Sequence, residues 1–329
     1  MATSWPKSLD TLFYGTEEIG RVVSLLTDGK FEITAHPGGA LVPALNVLDA
    51  VQQGAVECGH TSAYYAIGKS EALGFSTGMP FGLASEQHMA WLFHGGGLEV
   101  MRKVFADFSI VNVPMLTTGC QMGGWFNKKV DVVQDFAGLK MRLPSWGARV
   151  LSEMGVSAVN VPAGEIFLAL KTGALDAAEW IGPYDDEKLG LHKHAKYYYA
   201  PGWWEPGGTM DILIGEKHYN ALPSEYKAAL DIAAKNVTMR VLARYDARNM
   251  GALNLLVAQG TELRTFSEDI LTKSKAIAFE LYSQMAAKNP SFKTVYEHWN
   301  KFLSQANRWN RVSEVSYETF ALRTPALSH

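Results

Sequence analysis

Residues 158–180 read AVNVPAGEIFLALKTGALDAAEW, in which two short apolar runs flank an amphipathic segment. The runs at 158–162 and 177–180 have the length and composition of strands. The segment between them, 164–172, repeats apolar residues at helical spacing. A strand, a helix and a second strand in this order form a βαβ unit with parallel strands. The stretch therefore predicts a protein of the α/β class.

The same alternation of strand-like and helical segments recurs along the chain. Further helices are predicted at 16–28, 45–54, 85–106, 147–154 and 186–195. Further strands are predicted at 31–36, 56–60, 139–144 and 210–215. From Pro223 to Gly260 there is no internal proline, which predicts one very long helix with a kink near Gly251. Helices are also predicted at 267–288, from Pro290 to about 309 and in the apolar stretch 312–322.

The composition is that of an ordinary folded protein. The 329 residues are 47% hydrophobic and 19% charged, with a formal net charge of −3 and no block of lysine and arginine. Nucleic acid is therefore not a predicted partner, and neither is an anionic membrane surface. No apolar run approaches the ~20 residues that span a bilayer, and no signal-peptide pattern is present. These features fit a cytoplasmic protein or the mature chain of an exported one.

A short catalytic pattern, GFSTG at 74–78, matches the nucleophile elbow of serine hydrolases. It leaves open a hydrolase with Ser76 as the nucleophile, although Pro80 disfavours the helix that should follow the elbow. No phosphate-binding loop or zinc-binding pattern is present. The two cysteines, Cys58 and Cys120, are too few for a disulfide framework, and we expect both thiols to be free.

Four segments rich in glycine and proline combine a polar side chain with large aromatic residues. They are 117–126 with Gln121 and Trp125, 138–147 with Arg142, 176–187 with Glu179 and Trp180, and 197–207 with Trp204 and Glu205. The last segment, YYYAPGWWEPG, is predicted to be irregular because prolines and glycines interrupt it. Loops at the carboxyl ends of strands meet in one cleft in open α/β sheets. We therefore expect the arginine, the amide and the two glutamates to converge on one site with aromatic walls.

These residue types predict a small organic acid that is held together with a cation. Arginine binds a carboxylate through two parallel hydrogen bonds. Two buried glutamates would repel such a ligand, and a hard cation with oxygen ligands removes that repulsion. With Arg142, Glu179, Glu205 and a monocarboxylate all ionised, the site carries two net negative charges. Ca²⁺ neutralises both and Na⁺ neutralises one, so both ions are candidates.

Several long motifs closely resemble the solute-binding subunit of TRAP (tripartite ATP-independent periplasmic) transporters. They are TGCQMGGWF, GLKMRLP, GEIFLALKTGALDAAEWIGPYDDEKLG and KYYYAPGWWEPG, and in the N-terminal half SWPKSLDTLFYG, LTDGKFEI, PGGALVPALNVLDAVQQGAVECGHTSAYYAIGK, MPFGL and AWLFHGGG. The resemblance covers most of residues 4–325 and is greatest to the branch that binds 2-oxo and 2-hydroxy monocarboxylates. It implies an extracytoplasmic receptor that is not an enzyme, and that delivers such an acid to the membrane subunits of the transporter.

The resemblance also implies a fold like that of periplasmic binding proteins, with two α/β lobes, a hinge and a long helix that spans both lobes. Lobe I is expected at 1–116 plus 206–245, and lobe II at 117–205 plus 246–305. Residues 306–329 are expected to form a helical tail that exchanges between the subunits of a homodimer. Although no signal peptide is present, the implied location is the periplasm.

In that branch of the family, the arginine of the GLKMR segment grips the ligand carboxylate, a role that falls here on Arg142. A Ca²⁺ or Na⁺ ion bridges ligand and protein. Its ligands map onto Gln121, Glu179, the Trp180 carbonyl and Glu205. The first three of these residues are therefore expected to meet the ligand as well.

The remaining walls of the site are expected from aromatic residues. Tyr64 and Tyr65 are candidates to donate a hydroxyl to the 2-oxygen of the ligand, while Phe81 and Trp204 are expected to line the cavity. A metal-dependent enzyme acting on 2-oxo acids would use the same arginine and cation. It is the second enzyme alternative, although no lysine or histidine lies beside these motifs to act as a base.

Overall fold

The computed structural model describes residues 1–323, so that 324–329, the end of the predicted tail, lie outside the described residues. The strands are β1 (Ala2–Thr3), β2 (Cys58–Thr61), β3 (Ile110–Thr117), β4 (Gly124–Phe126), β5 (Lys140–Arg142), β6 (Ser157–Val159), β7 (Ala177–Ala178), β8 (Tyr197–Ala200), β9 (Thr209–Gly215) and β10 (Glu262–Thr265). The helices are α1 (Asp10–Leu26), α2 (Val47–Gln52), α3 (Gly74–Thr77), α4 (Ser85–Phe93), α5 (Gly97–Ala106), α6 (Ser145–Ser152), α7 (Ala163–Lys171), α8 (Pro183–Leu189), α9 (Glu216–Ala221), α10 (Ser224–Ala258), α11 (Glu268–Lys288), α12 (Pro290–Val312) and α13 (Glu314–Ala321). The predicted α/β class is confirmed.

Two sheets define two lobes. The sheet of lobe I has the order β1-β2-β9-β3, and β9 runs antiparallel to both of its neighbours. The sheet of lobe II has the order β10-β8-β4-β7-β5-β6. In this sheet β5 lies between β6 and β7 and is parallel to both. The βαβ unit predicted from 158–180 is therefore present, with β5 inserted between its two strands.

Apolar side chains cover both faces of each sheet, because neighbouring residues of a strand point to opposite faces. In β9, Leu213 belongs to one buried apolar cluster and Ile212 to the other. In β4, Phe126 and Trp125 divide in the same way. Burial on both faces explains why these short strands read as continuous apolar runs instead of alternating patterns.

The long helix and two crossing segments join the lobes. Helix α10 runs without interruption through Gly251 and packs against β3 of lobe I and α8 of lobe II. The chain passes between the sheets at 118–123 and again at 201–208. These two segments lie side by side, because the Thr118 N–H donates to Gly208 O at 2.9 Å and the Gly202 N–H donates to Gln121 O at 3.1 Å.

Four local predictions were wrong. The predicted helix 186–195 ends at Leu189, because Gly190 adopts a positive φ of 70°. The predicted strand 31–36 makes only a single bridge, between His36 and Ala2. The predicted helix 85–106 is two helices, because Gly96 adopts a positive φ of 81° between α4 and α5. The stretch YYYAPGWWEPG begins with a regular strand, β8, which pairs with both β4 and β10.

No helix within residues 1–323 has the length and apolar character needed to cross a membrane.

Candidate site for a carboxylate and a cation

The four predicted polar side chains converge between the lobes. Arg142 ends β5, and Glu179 directly follows the neighbouring strand β7. Gln121 comes from the first crossing segment and Glu205 from the second. All four are buried, with exposed fractions between 1% and 5%. Charged groups are rarely buried so completely unless they are paired, so this arrangement indicates a binding site and not a surface cluster.

Arg142 and Glu179 form a buried ion pair. Arg142 Nη1 lies 2.8 Å from Glu179 Oε2 and donates to the Glu179 carbonyl at 2.6 Å. Longer hydrogen bonds of 3.4 Å reach Val161 O and Asn160 Oδ1. The guanidinium lies over the Trp180 ring, 4.9 Å from its centroid. These contacts fix the plane of the guanidinium.

Glu205 is held by neutral donors from two parts of the chain. The Tyr64 hydroxyl of lobe I donates to Glu205 Oε2 at 3.1 Å, and Gln121 Nε2 donates to Oε1 at 3.0 Å. Gln121 Nε2 also reaches Thr118 Oγ1 at 3.0 Å. A Cβ at Gly208 would lie only 2.1 Å from Glu205 Oε1, so no other residue fits at this position without displacing the carboxylate.

Burial raises the pKa of both carboxyl groups. It raises the pKa of Glu205 to about 7, against the opposing effects of the Tyr64 hydrogen bond and the Arg142 charge. Burial also raises the pKa of Glu179 well above its usual value, although the Arg142 charge lowers it. The Tyr65 hydroxyl, which is buried too, has its pKa raised to about 12 and stays protonated. The two carboxyl groups therefore favour a bound proton or a bound cation.

Two buried side-chain oxygens fit a cation. Gln121 Oε1 and Glu179 Oε1 accept no hydrogen bond, although neither is exposed to solvent. Together with Glu205 and the Trp180 carbonyl, they form an all-oxygen set, which suits Ca²⁺ or Na⁺. Among residues 1–323, no group of three or more histidine, cysteine, aspartate or glutamate side chains is placed to hold a metal. A complete coordination shell therefore needs amide, backbone and ligand oxygens.

The cavity at this site is small. It has a volume of ≈ 10 Å³ and is lined by Trp5, Tyr64, Tyr65, Gln121, Arg142, Trp180, Ile181 and Met210. That space suits about one water molecule, so the lobes are closed over the site. A larger cavity of ≈ 400 Å³ lies in lobe I among Phe31, Cys58, Ile212 and Leu230, but it contains no arginine. The smaller cavity, which contains Arg142, is therefore the better candidate for binding an organic acid.

The structure separates the predicted aromatic residues into two groups. Tyr64, Tyr65 and Trp180 line the cavity. Phe81 stacks on Trp203, with ring centroids 4.9 Å apart, and Trp204 packs edge-on against Phe266. Neither Phe81 nor Trp204 lines the cavity.

Sequence reasoning missed three residues that line the cavity, namely Trp5, Ile181 and Met210. Trp5 follows the two-residue strand β1, which is too short to produce a pattern. Met210 lies within the strand that was predicted at 210–215, but the face of the sheet to which its side chain points depends on how that strand pairs. Ile181, which follows Trp180 directly, was the one residue that the sequence made easy to include.

The GFSTG pattern does not form a nucleophile elbow. Residues 74–77 are one helical turn that follows another helical turn, not a strand. Ser76 is completely buried and donates to Asp211 Oδ2 at 2.6 Å instead of contacting a histidine. Cys58 and Cys120 are both free thiols.

A family model decides what class of protein this is. The model for bacterial extracellular solute-binding proteins of family 7 (DctP) matches residues 1–289. The chain belongs to this family. Its members are solute receptors, which sets aside the Ser76 hydrolase and the metal-dependent enzyme as alternatives.

The solute-binding relatives include proteins with 2-oxo acids and hard cations. A monocarboxylate 2-oxoacid-binding periplasmic protein of Nostoc sp. strain PCC 7120 is 52% identical over 321 residues, 98% of this chain and 88% of its own length. A TRAP transporter solute-binding protein of Bordetella bronchiseptica RB50 has a TM-score of 0.96 at 44% identity, with 98% and 96% of the two chains covered. Its structure is a mixed-occupancy dimer with calcium and picolinate in one site. A TRAP solute-binding protein of Pseudoalteromonas atlantica T6c, with sodium and pyruvate bound, has a TM-score of 0.93 at 30% identity, with 97% of each chain covered.

Proposed function

We propose that this protein is the extracytoplasmic receptor of a TRAP transporter, and that it captures a small 2-oxo or 2-hydroxy monocarboxylate together with Ca²⁺ or Na⁺. It then delivers the acid to the membrane subunits from the periplasm. The observation that carries the proposal is a buried arginine beside two buried carboxyl groups and two unpaired amide and carboxylate oxygens. One relative holds pyruvate with sodium and another holds picolinate with calcium, and both acids are monocarboxylates with an electron-pair donor (oxygen or ring nitrogen) next to the carboxylate.

Each polar residue of the site has a distinct role in this mechanism. Arg142 binds the ligand carboxylate, and its contacts with Glu179 and Trp180 keep the guanidinium oriented. Gln121, Glu179, Glu205 and the Trp180 carbonyl would hold the cation. When bound, the cation would supply positive charge that offsets the negative charge of the acid and the two carboxyl groups. Tyr64 and Tyr65, which stay protonated, offer hydroxyl donors from lobe I.

The cavity walls include the apolar side chains of Trp5, Ile181 and Met210. The closed cavity of ≈ 10 Å³ holds about one water molecule, so the lobes must open to admit any organic acid together with its cation. A thermal-shift screen of 2-oxo and 2-hydroxy acids, each with and without Ca²⁺, tests this proposal. We expect pyruvate and lactate to stabilise the protein, and propionate, which lacks the 2-oxygen, to have little effect. Equal stabilisation by propionate would remove the 2-oxygen from the recognition scheme.

We further propose that lobe I comprises 1–116 plus 206–245 and lobe II comprises 117–205 plus 246–305. The sheet membership of the strands supports these limits, since β3 ends at Thr117 and β9 begins at Thr209. The two crossing segments and α10 then act as the hinge. Because the ligand contacts both lobes, its binding favours closure.

An ionic cluster around Asp10 connects the lobes outside the binding site. Asp10 of α1 lies 3.1 Å from Lys188 Nζ and accepts a hydrogen bond from the Tyr184 hydroxyl at 3.2 Å, and both residues belong to α8. Arg244 and Arg248 of α10 also contact Asp10, at 3.1 and 2.8 Å. Burial opposes ionisation, but hydrogen bonds from Arg248 and Lys188 lower the pKa of Asp10 to about 2. The cluster therefore stabilises the closed form at neutral pH.

The Asp10→Asn variant tests this contribution to closure. We expect pyruvate affinity to fall about fivefold, which corresponds to about 1 kcal/mol for a partly exposed ion-pair network. The loss should shrink at 1 M salt, since screening weakens exposed pairs. Asp28→Asn removes the same charge from an exposed position of lobe I and serves as the control. Equal affinities for Asp10→Asn and the wild-type protein in low salt would show that the cluster has no part in closure.

We also propose a homodimer in which the C-terminal tail covers the partner. Trp309 and Tyr317 in this tail are 68% and 72% exposed, and the Bordetella relative is a dimer. Sedimentation equilibrium should give twice the chain mass of 36.2 kDa. The double substitution Trp309→Glu and Tyr317→Glu should give the monomer mass, with unchanged pyruvate affinity. A monomeric wild-type protein at micromolar concentration would contradict the dimer.

A further inference from the structure

Asp186 is a buried carboxylate that has no role in the mechanism described above. It lies in α8 and is only 1% exposed. Its Oδ2 accepts hydrogen bonds from Trp125 Nε1 at 2.9 Å and from the Tyr198 hydroxyl at 2.8 Å. Its Oδ1 accepts one from the backbone N–H of Ile181 at 3.2 Å. The donors in these three bonds are all neutral groups, so none of them supplies a positive charge to the carboxylate.

The bond to Ile181 controls the direction of the Trp180 carbonyl. The Ile181 N–H and the Trp180 C=O belong to one planar peptide unit, and the cis peptide bond found in the described chain is elsewhere, at Ala200–Pro201. A trans peptide directs its N–H and its C=O to opposite sides. With the N–H anchored on Asp186, the carbonyl oxygen of Trp180 is turned away from Asp186.

The neighbouring carbonyls show that Trp180 differs from its surroundings. The Glu179 carbonyl accepts a hydrogen bond from Arg142 at 2.6 Å, and the Ile181 carbonyl accepts one from the Met122 N–H at 2.9 Å. Among residues 1–323, none donates a hydrogen bond to the Trp180 carbonyl. Buried carbonyls are almost always paired, so this oxygen is available for a ligand from outside the chain.

We infer that Asp186 is a positioning residue for the cation, because it both aims and polarises the Trp180 carbonyl. The inference rests on the proposed function, in which that carbonyl is a cation ligand. A carboxylate that accepts from the N–H end of a peptide increases the negative charge on its carbonyl oxygen. The anchor is rigid, because Trp125 and Tyr198 face each other on the paired strands β4 and β8, with ring centroids 4.0 Å apart.

The Asp186→Asn variant tests the inference. Asparagine keeps the shape of the side chain but removes the charge and leaves one buried donor without an acceptor. We expect the dissociation constant for Ca²⁺, measured by calorimetry without organic acid, to rise about 10- to 100-fold, as is typical for partners of metal ligands. At saturating Ca²⁺, pyruvate affinity should return to within a few-fold of wild type, because Arg142 is unchanged. A purely structural role for Asp186 would not produce this split between the two affinities.

Asp211→Asn is the matched control. Asp211 is completely buried in lobe I, and within residues 1–323 its carboxylate accepts from the neutral donors Ser76, at 2.6 Å, and Asn112, at 3.1 Å. We expect its thermal stability in chelator to change in the same way as that of Asp186→Asn, with no change in Ca²⁺ affinity. Wild-type Ca²⁺ affinity in Asp186→Asn, or equal losses in both variants, would overturn the inference.

Two milder variants keep the inference testable if Asp186→Asn does not fold. Trp125→Phe and Tyr198→Phe each release one hydrogen bond to Oδ2 but retain the carboxylate and the aromatic stack. Each should weaken Ca²⁺ binding a few-fold, and no change in either would count against the inference. Titration of the wild-type protein with Ca²⁺ and Na⁺ distinguishes failure of the proposed function from failure of the role inferred for Asp186. If the wild-type protein binds neither Ca²⁺ nor Na⁺, the proposed function itself fails.

Discussion

Replacing Arg142 by alanine will lower pyruvate affinity by roughly 30- to 5000-fold. This range corresponds to the ~2–5 kcal/mol lost when one partner of a buried, hydrogen-bonded charge pair is removed. The ligand carboxylate would lose its charged donor in a site from which water is excluded. Calorimetric titration in the presence of Ca²⁺ measures the effect directly.

Arg142→Lys is the more informative companion variant. Lysine retains the charge but not the planar fork, and it cannot satisfy the acceptors that Arg142 reaches on Glu179, Val161 and Asn160. We expect an affinity between those of wild type and Arg142→Ala. Arg142→Ala should also melt at lower temperature, since the Glu179 carboxylate loses its buried partner. Pyruvate affinity equal to wild type in Arg142→Ala would exclude Arg142 as the anchor of the acid.

Replacing Glu205 by glutamine will weaken Ca²⁺ binding by about 100-fold or more, since it removes a direct ligand instead of an outer partner. Glutamine has nearly the same shape and keeps one acceptor oxygen for one of the two donors, Tyr64 and Gln121. Pyruvate affinity should fall in parallel, because the acid and the cation share the site. Tyr64→Phe, which leaves the carboxylate in place, is the control and should lose much less Ca²⁺ affinity.

The raised pKa of Glu205 gives this prediction a pH signature. Without cation, burial raises the pKa of this group from 4.5 to about 7, so the folded protein binds a proton there between these pH values. The stability from that proton is present below pH 4.5 and is lost as the pH rises through 7. Ca²⁺ needs the ionised form, so its affinity should fall about tenfold per pH unit below 7.

Proton release on Ca²⁺ binding detects the same group. At pH 6, calorimetry in buffers of different ionisation enthalpy should show roughly one proton fewer released by Glu205→Gln than by the wild-type protein. Identical proton release by the two proteins would show that Glu205 does not exchange a proton for the cation.

The residues of this site were accessible from the sequence because each lies at a break in regular structure. Arg142 precedes Pro144, Glu179 precedes the Gly182–Pro183 turn, and Glu205 precedes Pro206. Such breaks mark strand ends, and strand ends of an α/β sheet meet at one edge. The chemistry of the side chains then limited the ligand to an acid and a hard cation.

The parts that the sequence concealed depend on contacts between distant segments. Strands β4 and β10 are only three and four residues long. They become part of a sheet through their pairing with β8, which lies between them. Trp5 reaches the cavity from the N-terminus, far along the chain from Trp180, whose ring lies 6.3 Å away. The role of Asp186 depends on one backbone hydrogen bond, which no residue pattern reveals.

The central claim is that a guanidinium and a hard cation hold the acid jointly, and pyruvate titration of protein freed of both Ca²⁺ and Na⁺ tests it most directly. We predict weak binding after chelation in sodium-free buffer, with tight binding restored when Ca²⁺ or Na⁺ is added. Equal pyruvate affinity with and without these cations would contradict it.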